Sequence, residues 1–140
     1  MDYLQKNFFL LRAFIVTLFI GLFSSDANAT HICGADITYQ WISGNSFRVT
    51  LTLYRDCSGI AAPVNPTISY SSASCGYFLT ATLSQVAGTG QEITHTCPFD
   101  STVCTGGLNP GIQQWQYTGI VTLPAQCTDW DFGYSICCRN

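Results

Sequence analysis

Alternation of apolar and polar residues, not helical spacing, organises most of this chain. From Cys33 to Trp41 the odd positions are Cys33, Ala35, Ile37, Tyr39 and Trp41, with Gly34, Asp36, Thr38 and Gln40 between them. After the break Ser43-Gly44-Asn45-Ser46, Phe47, Val49, Leu51 and Leu53 alternate with Arg48, Thr50, Thr52 and Tyr54. Successive strand residues point to opposite faces, so a period of two sets an apolar face against a polar one. Two such runs joined by a short Gly/Asn/Ser break predict a β-hairpin. Trp115, Tyr117, Gly119, Val121 and Leu123 repeat the pattern, as do Trp130, Phe132, Tyr134, Ile136 and Cys138. Residues 67–71 and 91–96 read as short strands, and residues 76–85 alternate loosely, with Tyr77, Leu79, Ala81 and Leu83 on one side. Proline and glycine make loops of residues 57–66 and 98–111. No useful length shows i, i+3, i+4 spacing. Six to eight such strands predict an all-β fold, an antiparallel β-sandwich of immunoglobulin-like or jelly-roll-like form.

The opening stretch follows a different logic. Lys6 and Arg12 precede an apolar run from Ala13 to Phe23, and Ala27-Asn28-Ala29 follows. A basic region, a short apolar core and an A-x-A site specify a secretory signal peptide over residues 1–29. The run is about half the ~20 residues a membrane-spanning helix needs. Cleavage leaves residues 30–140, in which no second apolar run is long enough to span a membrane.

Eight cysteines lie in that mature part: Cys33, Cys57, Cys75, Cys97, Cys104, Cys127, Cys137 and Cys138. An even count in a short exported chain reads as a disulfide framework. Cys137 and Cys138 are strand neighbours pointing opposite ways, so they are expected to reach different partners. Cys138 shares the apolar phase and is expected to cross to Cys57 or Cys33. Cys127 is expected to take Cys137 or Cys75, and a Cys97–Cys104 bond to pin the long loop. Zinc thiolates usually come at C-x₂₋₄-C spacing, which is missing here.

Charge narrows the function. The mature part has three arginines, no lysine and six carboxylates, a net charge of −3. Nucleic-acid binding needs clustered cations, so that partner is excluded. No G-x-S-x-G, H-E-x-x-H or P-loop pattern is present. His31 lies beside the new N-terminus and His95 beside Cys97. Asp129 and Asp131, one residue apart on one face of a strand, could be placed as a glycosidase's carboxylates, though any D-x-D would be placed so. The chain is therefore read as non-enzymatic, with no cofactor and no metal. Trp41, Trp115 and Trp130 fall on the apolar phase and are expected in the core, leaving Tyr54 and Tyr70 as surface rings. Arg55 extends the inward phase of β-strand residues 47–53. It is expected to tie strand ends through Asp56, Asp36 or a backbone carbonyl.

Several motifs resemble a known family. Thr30-His31-Ile32, Gly34 and Ile37-Thr38-Tyr39 resemble the opening of many exported Bacteroidetes proteins. The run Arg48 to Cys57, which contains Tyr54-Arg55-Asp56-Cys57, is similar to the segment that follows it there. Cys104, Gly106-Gly107, Pro110-Gly111, Tyr117 and Gly119 are similar to the middle of that module. Cys127, Asp129-Trp130, Phe132, Tyr134 and Cys137-Cys138-Arg139-Asn140 are similar to its end. The module stands at the N-terminus of large surface proteins with immunoglobulin-like or PKD repeats and gliding-motility-associated, type IX sorting domains. Cys33 and Ala35 depart from the family's opening. The resemblance implies an extracellular adhesion or structural role, no catalytic residues, and a chain that is the N-terminal part of a longer protein. It also gives structural weight to Arg55, Asp56, Asp129, Trp130 and Arg139.

The expectation is thus a secreted, cell-surface or periplasmic module. Its partners would be other domains of the same protein, cell-surface proteins or glycans. The alternative is carbohydrate or protein-ligand recognition by loops 57–66 and 98–111, and a secreted hydrolase is a remote third.

Overall fold

The structure, a computed structural model, describes Arg12 and residues 32–94, 97 and 100–136. The rest of the expected signal peptide lies outside the described residues, as do His31, His95, Cys137, Cys138 and Arg139.

The described chain is all-β, in two antiparallel layers. In chain order the strands are β1 (Ile32–Ser43), β2 (Ser46–Asp56), β3 (Thr67–Ser72), β4 (Tyr77–Thr82), β5 (Ser84–Gln85), β6 (Gln91–Glu92), β7 (Ile112–Thr122) and β8 (Asp131–Gly133). One sheet runs β1-β2-β7-β5, with β6 also paired to β7, and the other runs β4-β3-β8.

The predicted hairpin is the frame of the first sheet. Gly44 turns it with φ 52°, a left-handed conformation that glycine adopts without steric cost. Ala35, Ile37, Tyr39 and Trp41 then sit opposite Leu53, Leu51, Val49 and Phe47. β7 adds Trp115, Tyr117, Gly119 and Val121 opposite those same β2 residues. The predicted apolar phase is therefore one continuous inner face. From the other layer it meets Ile68 and, between β4 and β5, Leu83. Val49, Leu51, Leu53, Ile68, Leu83 and Tyr117 are wholly buried there. Gly119 admits Leu83, since a Cβ at that position would stand 2.8 Å from Leu83 Cδ2.

Two disulfides join loops among the described residues, Cys57–Cys104 and Cys75–Cys127. The second is one of the two pairings expected for Cys127. The first corrects two expectations, because Cys104 does not take Cys97 and Cys57 does not take Cys138. Topology explains the outcome. The Cys57 N–H donates to Gly111 O at 2.9 Å, which draws the two loops together. A 3-10 turn (Val103–Thr105), capped by the Thr102 hydroxyl, then brings Cys104 to a Cα separation of 5.1 Å from Cys57. Among the described residues, Cys97 and Cys33 carry free, exposed thiols.

Other expectations are corrected too. Of the described residues 91–94 only Gln91–Glu92 form a strand, and β8 spans Asp131–Gly133. Trp41 is exposed rather than in the core, whereas Trp115 and Trp130 pack against it. Tyr70 is not a surface ring, because it lies on the inner face of β3 between Trp130 and Phe132. Asp129 precedes β8, so it does not share a strand face with Asp131.

Candidate functional site

Among the described residues, β1 is the first strand of its sheet and has one neighbour, β2. Its outer edge therefore presents unpaired backbone N–H and C=O groups along a strand of 12 residues. Edge strands are commonly guarded by lysine, proline or inward charges. β1 has none of these, and Asp36 is its only charged residue.

The opposing layer has three strands, and its edge strand on this side, β8, is three residues long. It covers β1 incompletely. Tyr39 and Trp41 face inward by register, yet remain 65% and 63% exposed. The Trp41 indole N–H donates to Gly44 O at 2.9 Å, which fixes the ring at the hairpin tip.

Where the layers part, they leave an aromatic cleft of about 210 Å³. Tyr39, Phe47, Leu123, Trp130 and Phe132 line it, with Thr128 as a polar wall. Tyr39 stacks on Phe132 at 5.7 Å and meets Phe47 edge-on at 6.1 Å. Phe132 stacks in turn on Tyr70 at 6.0 Å, and Trp130 stacks on Tyr77 at 5.8 Å. Offset and edge-on pairs of this kind each add about 0.5–1.5 kcal/mol beyond area burial.

The loop bearing Trp130 is held rigidly. Its indole N–H donates to Ala125 O at 3.2 Å. The neighbouring Asp129 carboxylate accepts from the Ser72 and Ser74 hydroxyls at 2.6 and 2.5 Å, and from the Ser74 N–H at 2.8 Å. These bonds hold its pKa well below the usual carboxylate range, the Ser72 hydroxyl contributing most. Cys75–Cys127 closes the same corner.

The other singled-out residues lie at the far end of the sheet. β2 has 11 residues and so separates the two ends by about 35 Å. There the Arg55 guanidinium donates to the carbonyls of Ile60, Gly59 and Cys57, and to Gln113 Oε1 at 2.9 Å. Of the partners expected for Arg55, the backbone carbonyls are the ones these bonds use. Asp56 accepts from the Ser58 N–H and hydroxyl at 2.8 and 2.7 Å, bracing the same turn. Loops 57–66 and 98–111 share this end through Cys57–Cys104, with Ile60, Val64 and Leu108 exposed on them. The structure therefore separates the loops expected to bind ligand from the aromatic cleft.

Sequence reasoning missed Tyr39 and Trp41 as exposed groups. One signal was available. β2 fills its inner face with Val and Leu, whereas β1 uses Tyr and Trp, which have a polar tip.

Comparison with protein-family models, with curated proteins and with solved structures returned no match.

Proposed function

We propose that the chain is a non-catalytic structural or adhesion module of an exported bacterial surface protein, and that it adheres through the open edge of β1. One observation carries this reading. Among the described residues, a strand of 12 residues ends its sheet without lysine, proline or inward charge, and with inward rings left uncovered. Such an edge is a template for strand addition, in which backbone hydrogen bonds join the partner. The two disulfides fit an oxidising compartment. No helix among the described residues is long and apolar enough to cross a membrane. The resemblance to N-terminal modules of Bacteroidetes surface proteins supports the same reading.

The test is retention of whole bacterial cells on a surface coated with the exported chain. Tyr39→Lys places an inward lysine on the edge strand, a device that blocks edge pairing. Because Tyr39 is largely exposed, the fold should survive. Retention should drop at least about tenfold. Undiminished retention by the variant would sink the proposal.

A second reading is favoured by the cleft. Its stacked rings and the Tyr39 and Thr128 hydroxyls suit the ring face of a glycan or of a protein side chain. This moves the alternative site from loops 57–66 and 98–111 to the hairpin end.

A further inference from the structure

We infer that the partner of β1 is an extended peptide that seats one aromatic side chain in the cleft beside Tyr39 and sets a basic residue opposite Asp36. The inference rests on the edge reading above and specifies its ligand.

The edge dictates an extended backbone, since only a strand matches its row of donors and acceptors. A strand added beside β1 places one residue directly opposite Tyr39 on the inner face, about 5 Å away between Cβ atoms. Tyr39 is a wall of the cleft, so that residue is aimed toward the space between Tyr39, Phe132 and Trp130. The cleft holds about 210 Å³, below the ~300 Å³ where drug-sized pockets begin. It suits a single side chain. Its lining sets aromatic rings and Leu123 beside the Thr128 hydroxyl, with no acid or base, which suits a neutral ring. Strand-addition sites gain affinity from the backbone and specificity from such side-chain pockets.

Charge defines a second position. Asp36 is exposed on the outer face of β1, opposite Thr52 in the sheet, with no ion-pair partner among the described residues. It lies three positions from Tyr39 with no bulge between them. An odd spacing puts the two on opposite faces. A partner strand in register therefore carries its ring inward and, three residues away, a lysine or arginine outward. Opposite charges directly across a ladder are favourable, and like charges are not.

A display library of short random peptides, panned on the exported chain, tests this. Enriched peptides should carry one aromatic residue and one Lys or Arg three positions from it. Replacing the ring by Ala should weaken binding about tenfold. Tyr39→Ala should erase the preference for a ring, and Asp36→Asn should erase the charge preference. Both sites are exposed, so both variants should fold. N-methylating the peptide residues of one phase should abolish binding, while the other phase should tolerate it. Absence of enrichment, or indifference to the N-methylation phase, overturns the edge reading and this inference with it. Phase-dependent binding without ring or charge preference overturns this inference alone.

Discussion

Tyr117 sits at the centre of the inner face, fully buried, and its hydroxyl meets no hydrogen-bond partner among the described residues. Burial, with Tyr134 nearby, pushes its pKa up to about 12. The folded state therefore keeps the phenol neutral where the unfolded chain, with an ordinary value of 10.0, begins to ionise. Stability from this group is full below pH 10 and is lost as pH rises toward 12. Tyr117→Phe should remove that alkaline loss. It should also raise stability at neutral pH by about 1 kcal/mol, since an unsatisfied buried polar group is removed, as urea denaturation would show. Asp129 behaves in the opposite sense. Its carboxylate is stabilised in the charged form by Ser72 and Ser74, so its contribution is present above the ordinary value of 3.8 and fades as pH falls below it. Thermal melts of wild type and Asp129→Asn should differ at neutral pH and converge in acid.

Among the elements, the β1–β2 hairpin and β7 were legible because their alternation runs unbroken over many residues. The register makes a sharp prediction on β2 and β7. Leu51→Ala empties a fully buried inner position and should cost about 2–5 kcal/mol. Ile120→Ala removes an apolar group from the outer face, 66% exposed, and should change stability by less than ~0.5 kcal/mol. A small difference between the two in denaturant midpoint would contradict the assigned faces. β8 was legible only in phase. Phe132 pairs with Tyr70 as an inner residue, but the ladder ends at Gly133 although the alternation continues. Periodicity reports which face is apolar. It does not report whether a neighbouring strand exists to pair with. The cleft was illegible for a related reason. It gathers residues from β1, β2 and the 123–132 segment, and it opens because the second layer is narrow.

At the scale of the whole molecule, the disulfides show how topology overrides proximity in sequence. Cys97 is seven positions from Cys104, yet Cys104 bonds Cys57, 47 positions away. The Arg55 carbonyl clamp and the Cys57–Gly111 hydrogen bond bring that end together in space across segments distant in sequence. Closing a loop of that length restricts the unfolded chain by about 4 kcal/mol. Replacing Cys57 and Cys104 together with serine should lower unfolding free energy by about that amount, and non-reducing peptide mapping should return both cross-links. The same topology leaves β1 at the margin with its rings uncovered, and adhesion through that margin is the central claim. Hydrogen exchange on the chain while it is bound to retained cells tests it most directly. Protection should appear along β1, strongest around Thr38 to Ile42, with loops 57–66 and 98–111 exchanging as in the free chain. Protection confined to those loops, with β1 unchanged, would contradict the account.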